Sequence, residues 1–194
     1  MSRRILIING HPDPAPERFC AALAEAYAGA AIAAGHEVRR LDIGKMEFPL
    51  IRSAVAFEDT DPPPPIAAAQ QDLAWAEHLV LIHPVWMGAT PALLKGFFEQ
   101  TFRYGFALPR PGPGYPRGLL GGKSARLVVT MGMPQTAYRL IFAEVGVRAE
   151  ETGILALSGF KPIKKTLIGN IEAMGQPARR RWLERVAELG KAGD

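Results

Sequence analysis

The sequence contains one cysteine, Cys20, and no long apolar run. A single cysteine excludes an internal disulfide and is typical of a reducing compartment. The amino-terminal apolar segment, Ile5–Ile8, is too short for a signal-peptide core or a membrane span. We therefore expect a cytoplasmic protein with no membrane span.

Histidine is scarce, and positive charge is not concentrated in one place. The four histidines have no spacing that suits a metal site, so we expect no metal. The net charge is +4, but its basic residues are scattered, and groups such as Arg3-Arg4 and Arg179–Arg181 fall in different segments. Because no nucleic-acid motif accompanies them, we interpret them as a solvated surface and expect no nucleic-acid partner.

Short apolar runs alternate with longer helical patterns along the chain, which is typical of a parallel sheet covered on both faces. With 194 residues and 48% hydrophobic composition, we expect one domain over residues 1–194. The predicted strands are Arg4–Asn9, Glu37–Leu41, Leu79–His83, Ala125–Thr130 and Lys164–Ile168. The predicted helices are Glu17–Ala34, stopped by Gly35, then Ala67–Ala76, Pro91–Arg103, Thr136–Phe142 and Pro177–Gly190. This alternation predicts an α/β fold with a doubly wound, five-stranded parallel sheet of the flavodoxin-like order 2-1-3-4-5.

The segment between the third predicted strand and the helix that follows it contains residues that a simple turn does not need. Thr90 is a predicted N-cap and Pro91 suits the first helical position. The preceding loop, Pro84–Ala89, contains Trp86, which would be an unexplained large apolar side chain at a loop tip unless something lies against it. A core-filling role for this tryptophan is the alternative.

Ligands of open parallel sheets bind beyond the carboxyl ends of the strands, where strand order reverses. The loop after the first strand leads into a helix amino terminus that suits a phosphate, with Arg18 adding positive charge. The loop after the third strand presents Trp86. In the loop after the fourth strand, Gly132 permits close backbone approach, and Met131 and Met133 offer apolar contact. Together the three loops predict a site for a nucleotide with a planar head group, and a flavin fits it.

The sequence resembles the flavodoxin-like NAD(P)H:quinone oxidoreductases, which include DT-diaphorase and bacterial modulator and ancillary oxidoreductases. The resemblance covers nearly the full chain. The matching stretches are Pro84-x-Trp86, Pro91-Ala92-x-Leu94-Lys95-Gly96-Phe97, Gly105-Phe106-Ala107, His11-Pro12, Arg18-Phe19-Cys20, Thr130-x-Gly132 followed by Tyr138, Gly153-Ile154-Leu155 and Gly159-Phe160.

The resemblance implies a flavin-dependent reductase that passes two electrons from NADH or NADPH to a quinone-like planar acceptor by a ping-pong mechanism. It implies FAD as cofactor, with FMN as the alternative. Tyr138 is the expected catalytic residue, and the expected acceptor site contains Trp86, Tyr104, Phe106 and Tyr138. The expected cofactor-binding residues are His11, Arg18, Phe19, Cys20, Pro84, Val85, Trp86, Met87, Gly88, Thr130, Met131, Gly132, Met133 and Tyr138.

Two positions depart from the family pattern. Arg18 replaces the serine that helps to hold the flavin phosphate. No histidine follows Tyr138, although better-studied members have one there, and Glu144 lies in its vicinity instead. A flavin-binding ancillary subunit of a membrane transporter is the alternative function. A flavodoxin-like electron carrier is a weaker one, because such carriers are usually strongly acidic.

The glycine- and proline-rich loop 105–122 carries more apolar side chains than a solvated loop should expose. The resemblance implies a homodimer with shared active sites, and burial of this loop in a symmetric interface would be an independent reason for one. The alternative is that the loop folds back on its own chain. Its apolar residues are Phe106, Leu108, Tyr115, Leu119 and Leu120.

Overall fold

The computed structural model describes residues 2–58, 61–112 and 117–194. Its five strands are β1 (Arg4–Asn9), β2 (Glu37–Asp42), β3 (His78–Pro84), β4 (Ser124–Thr130) and β5 (Ile163–Ile168). They form one sheet in the order β2-β1-β3-β4-β5, and every neighbouring pair is parallel. The predicted fold class and strand order are confirmed.

Helices cover both faces of the sheet. Their bounds are α1 (Phe19–Ala33), α2 (Ala54–Glu58), α3 (Pro64–Trp75), α4 (Ala92–Thr101), α5 (Gln135–Ile141), α6 (Val145–Arg148), a π-helical segment (Ala149–Ala156) and α7 (Gln176–Ala192). A short 3-10 turn, Ile43–Lys45, follows β2. None of the described helices is both long and apolar enough to cross a membrane.

Alternation along β1 divides the core into two layers. Ile5 and Ile7 pack with the layer that contains the buried face of α1, whereas Leu6 and Ile8 pack with the layer that contains α3 and α4. Successive side chains of a strand point to opposite faces of the sheet, so a central parallel strand must be apolar at every position. β3 and β4 are buried throughout for the same reason.

Helix α1 ends where the sequence predicts. Gly35 adopts a left-handed conformation with φ of 86°, and the N–H of His36 donates to the carbonyl of Ala31 at 3.0 Å. This arrangement closes the last helical turn, and glycine adopts it without strain.

Thr90 does not cap α4, contrary to the prediction. The residue that precedes the helix is Pro91, and no side chain makes a capping hydrogen bond. The Thr90 hydroxyl instead donates to the carboxylate of Glu150, 60 residues further along the chain, at 2.5 Å. A distant buried acceptor has therefore displaced the local capping interaction.

Most of the described apolar residues of loop 105–122 pack on their own chain. Ala107 and Leu120 are buried, and Phe106 and Leu108 pack against the core. Leu119 remains half exposed, and Tyr115 lies outside the described residues. The turn at Gly118 fits closely, because a Cβ there would lie 2.0 Å from the Ser158 carbonyl carbon.

Candidate functional site

Hydrogen bonds bring the predicted loops together at the carboxyl edge of the sheet. Because β1, β3 and β4 are adjacent, the loops that follow them share this edge. The N–H of Gly10 donates to the carbonyl of Ile82 at 2.7 Å, and the N–H of Val85 donates to the carbonyl of Thr130 at 2.7 Å. The three predicted loops therefore leave the sheet side by side.

The loop after β3 ends in a tight two-residue turn. Trp86 and Ala89 exchange two backbone hydrogen bonds across it, at 2.9 and 3.0 Å. Met87 and Gly88, between them, both adopt left-handed conformations, with φ of 50° and 81°. This pairing is that of a type I′ turn, and it is strained for a methionine. We call residues 86–89 the tryptophan turn.

The tryptophan turn presents apolar surface to solvent. Trp86 is 48% exposed, and Met87 is fully exposed. The edge of the His11 ring faces Trp86, with their centroids 5.8 Å apart. The chain itself covers little of this surface, so Trp86 is not a core residue.

Two residues of the following elements support the tryptophan turn from beneath. The Tyr138 hydroxyl donates to the carbonyl of Gly88 at 3.0 Å and accepts the N–H of Val147 at 3.4 Å. Gly146 allows close approach, because a Cβ there would lie 2.5 Å from the Gly88 carbonyl oxygen and 2.6 Å from the Cα of Ala89. The position of the turn is therefore set by α5 and α6.

Tyr138, the expected catalytic residue, is hydrogen-bonded to the backbone of its own chain. Its side chain is fully buried, and its only hydroxyl proton is donated to Gly88, so it is not directed at an acceptor. Burial also raises the pKa of Tyr138, with neighbouring carboxylates adding to the effect, so its hydroxyl retains that proton. A direct catalytic role would require this hydrogen bond to break.

The loop after β1 and the start of α1 offer backbone donors. No side chain caps α1, so the N–H groups of its first turn are available to an anion. Arg18, which precedes the helix, forms an exposed ion pair with Asp13. Asp13 also accepts the N–H of Ala15 at 3.0 Å, and this bond and Arg18 lower its pKa. The charge of Arg18 is thus balanced within the loop rather than held free for a phosphate.

His11 is a turn residue. Burial is the main cause of its lowered pKa. Its Nδ1 lies 3.0 Å from the backbone nitrogen of Asp13 and 3.1 Å from the carbonyl oxygen of the same residue. His11 therefore fixes the turn and packs beside Trp86 at the same time.

The loop after β4 places its predicted residues in different environments. Met131 is buried in the core, whereas Gly132 is exposed and Met133 is partly buried. Gly132 and Met133 are therefore the more accessible residues of this loop. A Cβ at Gly132 would lie 3.1 Å from the carboxylate of Glu172, which borders this loop.

Cys20 and Thr130 are buried together beneath the site. The Cys20 thiol lies 3.4 Å from the Thr130 hydroxyl, and burial raises the pKa of the thiol to about 11. The thiol therefore stays protonated at neutral pH.

Tyr104 and Phe106 do not join the tryptophan turn within one chain. They follow α4, a helix of 10 residues that places its two ends about 15 Å apart. Tyr104 packs against Phe57 with ring centroids 5.3 Å apart, and Phe106 packs against the core. Tyr104 and Phe106 therefore lie beyond the end of α4 that is distant from the tryptophan turn.

The supporting residues Gly146, Val147 and Glu150 were not predicted from the sequence. They lie about 60 residues from the turn they support, in a segment with no long apolar period. No group of His, Cys, Asp and Glu in the described ranges is arranged to hold a metal ion.

A family model described as flavodoxin-like fold matches residues 3–191. The chain belongs to this family. Among curated proteins, it is 28% identical to NAD(P)H dehydrogenase [quinone] 1 of Rattus norvegicus, over 94% of this chain and 74% of that protein. It is 29% identical to a ribosyldihydronicotinamide dehydrogenase-like protein of Penicillium crustosum, over 66% of this chain, and the match spans only 57% of that relative.

Solved structures of other proteins with the same architecture superpose closely on this chain. Smu.1420 from Streptococcus mutans UA159 has a TM-score of 0.81 and 27% identity, over 97% of this chain and 98% of that one. An FMN-dependent NADH-azoreductase from Bacillus anthracis, solved in complex with FMN, has a TM-score of 0.79 over 99% of both chains. Its 14% identity makes that likeness one of fold alone.

Proposed function

We propose that the protein is a flavin-dependent NAD(P)H oxidoreductase that transfers two electrons to a quinone or a similar planar acceptor. The observation that carries the proposal is the exposed tryptophan turn, held at the edge where the strand order reverses. The NAD(P)H dehydrogenase [quinone] relatives support the same reaction class.

The residues at this edge fit a flavin nucleotide. The uncapped amino terminus of α1 provides N–H donors for a phosphate. Trp86 and the exposed backbone at Met87 and Gly132 provide flat surfaces for a ring. When bound, the flavin supplies the hydride and electron transfer, while the protein supplies binding and orientation. FAD is the form that the family resemblance favours, and FMN is the alternative.

One open face suits two substrates that bind in turn. The apolar tryptophan turn has no charged side chain of its own, so it selects for planar shape rather than for a particular acceptor. A nicotinamide and a quinone would therefore use the same surface one after the other, as a ping-pong mechanism requires.

A steady-state assay tests this function. Protein supplied with FAD or FMN should reduce a soluble quinone with NADH or NADPH as donor, and initial rates at several quinone concentrations should give parallel double-reciprocal lines. Intersecting lines would reject the ping-pong mechanism. Protein that retains flavin but does not reduce any quinone with either nicotinamide would reject the enzymatic function.

We further propose that the working unit is a homodimer, whose interface includes a patch beside the tryptophan turn. Four neighbouring side chains, at the end of α5, directly after it and at the start of α6, are between 40% and 86% exposed: Leu140, Ile141, Phe142 and Val145. Phe142 borders the turn, since a Cβ at Gly88 would lie 3.6 Å from its ring. A contiguous apolar patch of this kind usually marks an interaction site. A partner seated here could bring its own Tyr104 and Phe106 towards the flavin site, which one chain cannot do.

Replacing Ile141 with lysine should weaken this dimer, because it places a charge within the apolar patch. We expect the mass measured by light scattering to fall from about twice 21.0 kDa towards 21.0 kDa. Ile32→Lys is the matched control, since Ile32 is 59% exposed on α1. Wild-type protein that is monomeric and fully active would contradict the shared-site proposal.

Replacing Trp86 with alanine should weaken flavin binding by about 1 to 3 kcal/mol, because the side chain provides the largest exposed aromatic surface at the site. Flavin titration followed by fluorescence measures the change. Trp182→Ala is the control, since that tryptophan lies on α7 and contacts Arg185 instead. Equal flavin affinity in Trp86→Ala and wild type would remove Trp86 from the proposed site.

A further inference from the structure

A buried carboxylate joins the two ends of the cofactor-facing loop. Glu150, only 1% exposed, accepts a hydrogen bond from the Thr90 hydroxyl on Oε1 at 2.5 Å, and its Oε2 lies 2.9 Å from Nε2 of His83. His83 immediately precedes the loop Pro84–Ala89, and Thr90 immediately follows it. One side chain from a different element thus bridges the start and the end of this loop.

The imidazole of His83 forms part of the same bridge. Its Nδ1 lies 3.0 Å from the carbonyl oxygen of Pro84, which can only accept, so Nδ1 carries a proton. Burial opposes the charged form of His83, but the Glu150 carboxylate and its hydrogen bond outweigh burial and raise the pKa of His83. The contact therefore joins a histidine and a glutamate through a hydrogen bond, and both side chains are almost fully buried.

Burial of the His83–Glu150 pair destabilises the fold unless both side chains have hydrogen-bond partners. A buried carboxylate or imidazolium without a partner is strongly destabilising. Here the two Glu150 oxygens and the two His83 nitrogens each have a partner, and all three contacts involve His83, Pro84 or Thr90. The favourable geometry therefore exists only while the loop ends hold their present positions.

The π-helical segment sets the position of Glu150. The neighbouring Glu151 pairs with Lys165 at the protein surface at 2.8 Å, whereas Glu150 points into the core. Such irregular helical turns often occur at functional sites. The two consecutive glutamates thus make different contacts, and only the buried Glu150 contacts residues at the ends of the loop Pro84–Ala89.

We propose that Glu150 is a positioning residue, which clamps the loop Pro84–Ala89 through His83 and Thr90 and so holds the tryptophan turn in its flavin-binding conformation. Tyr138 and Gly146 support the tip of the loop, and Glu150 fixes its two ends. The effect of this clamp on flavin affinity rests on the proposed function, whereas its effect on the conformation of the loop is independent of that function.

Thr90→Val tests the clamp without leaving a buried charge unpaired. The substitution keeps the side-chain shape and the His83–Glu150 contact, and it removes only the bond at the far end of the loop. We expect hydrogen exchange at the amides of Trp86 and Ala89 in the flavin-free protein to accelerate about tenfold, and the flavin dissociation constant to rise about tenfold, which is the scale of losing one hydrogen bond to a charged group. Thr90→Ser should restore both values.

Thr152→Val is the matched control. It removes a threonine hydroxyl that donates to the carbonyl of Arg148 on the same helical segment, away from the loop. We expect wild-type exchange at the loop and wild-type flavin affinity.

Two results would overturn the proposal. One is wild-type exchange at Trp86 and Ala89 in Thr90→Val, or faster exchange spread evenly over the protein. The other is faster exchange at the loop with unchanged flavin affinity, which would leave a clamp without a role in binding. If the wild-type protein binds no flavin at all, the proposed function fails, while the exchange experiment still decides whether the clamp exists.

Discussion

Gly146→Ala should displace the tryptophan turn and weaken flavin binding by about fivefold to 150-fold. The added Cβ would lie 2.5 Å from the Gly88 carbonyl oxygen, 2.6 Å from the Cα of Ala89 and 3.1 Å from the Tyr138 hydroxyl. Two of these atoms belong to backbone, so a rotamer change cannot relieve the contact. Overpacking of this kind costs about 1 to 3 kcal/mol, and here the movable element is the turn itself.

Gly153→Ala is the control for this experiment. Gly153 lies in the neighbouring π-helical segment, and a Cβ there meets nothing within 4 Å. Alanine at a helical position without a clash is neutral or stabilising by about 0.5 to 1 kcal/mol. Chemical denaturation and flavin titration measure both effects. A Gly146→Ala protein with wild-type stability and flavin affinity would show that the turn does not rest on α6.

Tyr138→Phe should weaken flavin binding and stability together, with turnover at saturating flavin kept within about twofold of wild type. The substitution leaves the Gly88 carbonyl and the Val147 N–H without their shared partner, at a cost of about 1 to 3 kcal/mol. Since the hydroxyl is buried and its proton is donated to the backbone, we expect its role to be in positioning rather than in proton transfer to the acceptor.

A matched control separates the two roles of Tyr138. Tyr27→Phe removes another buried hydroxyl, which donates to the carbonyl of Asp194 far from the site, so it should reduce stability alone. Loss of a catalytic proton donor typically lowers kcat by about 100-fold or more. Such a loss in Tyr138→Phe, with flavin affinity unchanged, would support the catalytic role that the family resemblance implies.

The sequence was sufficient to predict the sheet because its signals are local. The alternating and continuous apolar runs identify all five strands, and the strand order then places the loops after β1, β3 and β4 at one edge. The sequence also indicates a special role for Trp86, because a tryptophan in a loop between a proline and a glycine does not fit a core position. These inferences depend on residues that are close together in the chain.

The side chains that support the loops could not be predicted, because their contacts join residues that are far apart in the sequence. Glu150 reaches Thr90 across 60 residues, and Tyr138 reaches Gly88 across 50. In loop 105–122, the apolar residues favour a dimer interface when only the sequence is considered. In the structure, most of those described pack on their own chain. Composition gives the amount of apolar surface but not the element that covers it.

The most direct test of the central claim is the flavin content of the protein. The protein is incubated with excess FAD and FMN, desalted, examined by absorbance and then denatured, and the mass of the released compound is measured. The account predicts a flavin absorbance band and about one non-covalently bound flavin per chain, whose mass distinguishes FAD from FMN. Protein that passes through desalting without a flavin band would contradict the account.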